Sequence, residues 1–127
     1  MIEVKVSKQS NYPVNTPPLK RRLKDFLKEK GIVSDAQVSV ALVGEKKMAE
    51  IARQYLGEEK LHSVLSFAAE EAKEKFKFPP DKIIRLGEIV ICYPKALEEA
   101  KREDKLVEEK VTELMEHGAL HLLGIHH

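Results

Sequence analysis

The last eleven residues, His117-Gly118-Ala119-Leu120-His121-Leu122-Leu123-Gly124-Ile125-His126-His127, hold four of the five histidines in this 127-residue chain. His117 and His121 are four residues apart. On a helix that spacing puts both imidazoles on one face, one turn apart, with roughly 5–6 Å between their Cβ atoms. Two neutral imidazoles so placed can share a divalent metal. Gly124 can end the helix in the left-handed conformation and turn the chain back. A third imidazole, His127 or alternatively His126, then comes round to the ion. Three histidines leave a fourth position for water, the pattern of catalytic zinc. The expectation is one Zn2+ per chain; imidazoles also suit nickel, copper and iron. Without a metal, His117 and His121 would be polar edges of an amphipathic helix and His126-His127 a tag remnant.

The spacing H-x3-H-x2-G-x2-H is also that of the metzincin zinc proteases. One position breaks that match. The glutamate that serves those enzymes as general base is Gly118 here, and a glycine takes no proton. A metalloprotease is therefore a remote alternative.

The elements that must position the histidines follow from periodicity. Ile2, Val4 and Val6 alternate with charged residues, the period of a half-buried strand. Residues 11–18 read as a Pro- and Asn-rich loop. Thr16 then caps a helix with Pro17 and Pro18 at its start, running to about Lys30, with Gly31 as the stop. Gln37 to Val43 is a second strand and Lys46 to Tyr55 a second helix. Ser63 to Phe67 is a short strand. Glu70 to Lys77, ending at Pro79-Pro80, is a charged surface excursion. Arg85 to Cys92 is strand-like, and its near-continuous apolar half predicts a central place in the sheet. Pro94 opens a helix reaching about Arg102. Asp104 caps the last helix, whose buried stripe is Val107, Val111, Leu114 and Gly118. His117 and His121 border that stripe, as a ligand pair facing a cleft should. Strands and helices so interleaved make one α/β or α+β domain over residues 1–127, with a mixed sheet and the metal helix packed on it.

Composition sets the outer limits. The chain is 43% hydrophobic and 34% charged, ordinary for a globular protein. It carries no apolar run of membrane-span length and no signal-peptide pattern. The lone Cys92 excludes an internal disulfide and fits a reducing, cytoplasmic setting, as a small buried hydrophobe. Twenty-two basic residues against 21 acidic give a net charge of +1, so any polyanion site must come from local clusters. The candidates are Lys20-Arg21-Arg22 with Lys24, Lys46-Lys47, and Lys82 with Arg85.

With these segments placed, the sequence resembles the YbeY family of bacterial metal-dependent endoribonucleases. Its pattern H-G-x-L-H-L-x-G-[YF]-D-H is matched at His117, Gly118, Leu120, His121, Leu122, Gly124 and His127. Its V-L-S-F is matched at Val64, Leu65, Ser66 and Phe67, and its L-G-[DE]-I-x-I at Leu86, Gly87, Glu88, Ile89 and Ile91. The resemblance implies an α+β fold with a mixed sheet of about four strands, and zinc held by His117, His121 and His127. It also implies single-strand-specific cleavage of ribosomal RNA precursors at the 16S rRNA 3′ end, a role in ribosome quality control, and the small ribosomal subunit as partner. No DNA or membrane partner is expected.

Three positions depart from the family pattern. Leu56 replaces an arginine, His62-Ser63 a Thr-Asp pair, and His126 an aspartate. Leucine cannot contact a phosphate, so Arg53 or Arg85 would have to supply that charge from another direction. His62 could be a proton donor or general base, since imidazole titrates near pH 6.5, or an exposed loop histidine. Ser66 could bond substrate or simply end a strand. Glu88 could orient a ligating imidazole or be a surface charge. A metal-stabilised RNA- or ribosome-binding protein without nuclease activity is the alternative that Leu56 raises.

Overall fold

The computed structural model describes residues 1–69 and 83–124. The charged excursion at 70–82, with Pro79-Pro80, lies outside the described residues, and so do His126 and His127. In chain order the elements are β1 (Ile2–Lys8), α1 (Thr16–Glu29), β2 (Ala36–Val43), α2 (Glu45–Leu56), β3 (Val64–Ala68), β4 (Ile84–Cys92), α3 (Tyr93–Arg102) and α4 (Val107–Leu122). The strands form one mixed sheet in the order β1-β2-β4-β3. β1, β2 and β4 run parallel, and β3 pairs antiparallel with β4. The architecture is α+β, and β4 is interior, as its continuous apolar run Ile89-Val90-Ile91-Cys92 predicts.

Period-two alternation decides what each sheet face carries. Val38, Val40, Leu42, Ile89 and Ile91 pack with Leu23 and Leu27 of α1 and with Val111 and Met115 of α4. Val43, Val90 and Cys92 point the other way and pack with Met48 of α2. The helix carrying the histidine pair thus lies on the α1 face. Cys92 is fully buried, and that burial raises its thiol pKa above the ordinary value. Among the described residues, no helix is long and apolar enough to cross a membrane.

Two expected caps fall elsewhere. Thr16 is the first helical residue of α1, and Asn15 holds the cap position without a side-chain bond. Val14 before the cap and Leu19 beyond it are both buried in the same core cluster, which fixes the entry of the chain apolarly. Asp104 is left-handed at φ 58°, and α4 starts at Val107. There the Glu109 carboxylate accepts from the Leu106 N–H at 3.1 Å, satisfying a backbone donor that an Asp104 cap would have served.

Lys110, on the buried side of α4, is only 6% exposed. Its Nζ lies 2.9 Å from Glu103, 3.3 Å from Glu113 and 3.5 Å from Glu99. Burial pushes the ammonium pKa down, but the hydrogen bonds to Glu103 and Glu113 outweigh it, and Lys110 titrates above its ordinary value. Hydrogen bonds from Lys110 to Glu103 and from Lys105 to Glu113 hold those carboxyls below theirs. A carboxyl with a lowered folded pKa stabilises above its unfolded value, about 4.3, and that contribution is lost as pH falls through the folded value. Melts between neutral pH and pH ~3 should therefore lose a small contribution below about pH 4.3. Lys110→Met should flatten that acid limb; an unchanged limb would show that the cluster does not couple α3 to α4.

Candidate metal centre

α4 is built to reach the sheet closely at one point and to leave its histidines outside that contact. Gly118 is buried, and a Cβ there would lie 2.8 Å from Ile89 Cγ2 and 3.3 Å from Cγ1. Ile89 is fully buried on β4 and β-branched, so it has little freedom to withdraw. Gly118→Ala would add helix propensity of about 0.5–1 kcal/mol against an overpacking cost of about 1–3 kcal/mol. We expect a net loss of about 1 kcal/mol or more in urea unfolding; a gain would contradict the contact. The position that holds the metzincin base therefore points at the sheet, and no longer side chain fits it.

His117 and His121 are exposed at the edge of the stripe, with ring centroids 4.6 Å apart and planes inclined by 51°. Leu123 closes α4, and Gly124 follows at φ 77°, the left-handed turn expected there. Both imidazoles line a cavity of about 330 Å3 whose other walls are His62, Val64, Leu65, Ser66 and Gly118. Of the candidate site residues, His62, Ser66, His117 and His121 are thus brought together. No cluster of three or more His, Cys, Asp or Glu side chains suited to a metal occurs among the described residues. The expected third ligand, His127, and its alternative, His126, lie outside them. Two imidazoles one turn apart on a shared cavity are a donor pair that zinc accepts, so the residues present fit the ion.

His62 has a partner that sequence reasoning missed. Its Nε2 is 2.6 Å from Glu58 Oε2. In the neutral ring the carboxylate keeps the proton on Nε2 and leaves Nδ1 as the acceptor. Residues 58 and 62 sit on a loop rather than a helix, so no periodicity announces the pair.

Arg85 lies elsewhere. It lines a larger groove, about 710 Å3, on the α2 side of the sheet, with Lys47, Tyr55, Phe67 and Glu88. The cause is a bulge: Gln37 pairs with Arg85 but Val38 pairs with Gly87, leaving Leu86 as the extra residue. Plain alternation would put Arg85 on the face of Gly87 and Ile89, toward the histidines. The extra residue turns it to the face of Glu88 and Val90. Glu88 is exposed and lines that groove, apart from the imidazoles. Leu56, 46% exposed, ends α2.

Fold and site together define an α+β protein with a histidine-lined cavity between an edge strand and its C-terminal helix. Comparison with known proteins narrows that class. Residues 5–127 match the family model described as Endoribonuclease YbeY. A protein named Endoribonuclease YbeY from Macrococcus caseolyticus is 34% identical over 111 residues, which is 87% of this chain and 71% of that protein. One of the same name from Staphylococcus aureus is 38% identical over 112 residues, 84% of this chain and 72% of the relative. The solution structure of TM1509 from Thermotoga maritima aligns with a TM-score of 0.62 at 25% identity, covering 98% of this chain and 74% of that one. The chain belongs to the YbeY family.

Proposed function

We propose that the chain is a zinc-dependent endoribonuclease specific for single-stranded RNA, acting in the cytoplasm on the 3′ end of 16S rRNA precursors and in ribosome quality control, with the small subunit as partner. Membership of a family whose relatives are named endoribonucleases supports the reaction class. The observation that carries it is the gathering of His117, His121, His62 and Ser66 on one cavity. His117, His121 and His127 would hold the metal. A zinc bound there supplies a water of lowered pKa and polarises a phosphoryl oxygen. A neutral His62 with its Nε2–H directed to Glu58 would present Nδ1 as a proton acceptor. The Ser66 hydroxyl can donate to a phosphate oxygen. The test is a labelled single-stranded fragment spanning the small-subunit 3′ end beside its duplex form. Internal cuts in the single strand alone are expected; zinc-loaded protein that cuts neither would sink the proposal.

One observation favours a second reading, a metal-stabilised RNA-binding protein with little nuclease activity. Leu56 stands where the family pattern has arginine, and a phosphodiester transition state gains negative charge that a nearby cation stabilises. On that reading the wild type binds RNA without cutting it. Leu56→Arg is expected to raise the cleavage rate about tenfold or more, the order of one added charge-assisted hydrogen bond. An unchanged rate would mean that this end of α2 does not reach the reacting phosphate.

A further inference from the structure

The groove on the α2 side of the sheet is absorbed by neither the histidine cavity nor the proposed chemistry. Tyr55 is 62% exposed at its rim, and its ring is held at 5.2 Å from the Phe67 ring, inclined by 50°. Lys47, Gln37, Ser39 and Gln54 also line it. None of these four side chains has a hydrogen-bond or ion-pair partner among the described residues. Lys47 and Gln54 are exposed and Gln37 and Ser39 half-buried, so their polar groups are open to a ligand that enters the groove. A large exposed tyrosine propped by a second ring costs little further ordering when a planar group stacks on it.

Strand β3 links this groove to the histidine cavity. Ser66 lines the cavity, and its neighbour Phe67 lines the groove. Successive side chains of a strand point to opposite faces, and β3 is the edge strand. A single strand that crosses this edge meets both sites without passing through the sheet.

We propose that the groove is a second nucleotide subsite for single-stranded RNA. One base stacks on Tyr55, its phosphate lies against Lys47, and Gln37, Ser39 and Gln54 bond the polar edge of the base. The subsite holds the strand at a distance from the cut. Glu88, exposed on the same wall, repels phosphate, whereas Arg85 and Lys47, which also line the groove, attract it. The inference rests on the reading of this chain as acting on RNA.

The test is fluorescence anisotropy on the full zinc-loaded chain, read before cleavage proceeds. The probes are a labelled oligouridylate long enough to cross β3 and a labelled uridine dinucleotide. Tyr55→Ala should weaken oligouridylate binding about tenfold, within the usual range for one lost base–aromatic stack, whereas Tyr55→Phe should bind like the wild type. Lys47→Ala should lower the slope of log affinity against log salt by about 0.7, the value for one phosphate contact on a single strand. A merely structural lysine would not move that slope. Dinucleotide binding should be the same in every variant. Equal affinities and slopes in wild type and variants would overturn the subsite while leaving the RNA reading intact, and would assign the groove to another partner. A wild type that binds neither probe would overturn both.

Discussion

His121→Ala should lose its zinc. The wild type is expected to carry about one ion per chain, the complement of a three-histidine site with an open position. Removing one of three ligands leaves two imidazoles, which cannot hold zinc against a chelator at neutral pH. His121 is exposed at the rim of α4 and contributes nothing to the contact between Gly118 and Ile89. The variant should therefore fold, and its deficit should show in metal content and cleavage rate. Cleavage should fall by at least about a hundredfold, since a metal-activated water is the nucleophile being removed. His127→Ala should behave like His121→Ala, and His126→Ala like the wild type. The reverse pattern would make His126 the third ligand. Full zinc content in His121→Ala would remove the imidazole pair from the account.

Gly87→Ala should be the most damaging substitution for the fold. Gly87 sits at φ 137°, where side chains are strained, and a Cβ there would lie 2.2 Å from the Phe67 carbonyl oxygen. The obstacle is backbone of the neighbouring strand, so no rotamer change relieves it. Strain of about 1–3 kcal/mol adds to overpacking of about 1–3 kcal/mol, together about 4 kcal/mol from a total of about 5–15 kcal/mol. Urea unfolding measures it; a loss under about 1 kcal/mol, an ordinary substitution effect, would contradict the close pairing. The site should suffer as well, because Ala68 and Phe67 pair with Gly87 and Glu88. Displacing that end of β3 also moves Ser66 from the histidine cavity.

Most of the frame is legible in the residues. Val38, Val40 and Leu42 alternate as a strand must, and the apolar end of β4 marks an interior position. The stripe Val111, Leu114 and Gly118 tells which face of α4 meets the sheet, and hence that His117 and His121 stand at its border. Gly124 marks the end of that helix. What escapes is what depends on a partner distant in sequence or on one extra residue. Lys110 reads as a surface lysine until Glu99 of α3 and Glu103, just past its end, are seen beside it. Glu58 and His62 meet through a loop. Arg85 follows a parity that the bulge at Leu86 reverses, so alternation alone assigns it to the wrong face. The cap at Leu106 is invisible because the bond comes from Glu109, three residues on.

The measurement that bears most directly on the account is cleavage of single-stranded RNA by protein stripped with a chelator and then resupplied with zinc. Activity should vanish on stripping and return in step with about one zinc bound per chain. Resupplying zinc to His121→Ala should restore nothing. A stripped protein that cuts at the wild-type rate, or a His121→Ala variant that does, would contradict the claim that the histidine cavity is where this chain acts on RNA.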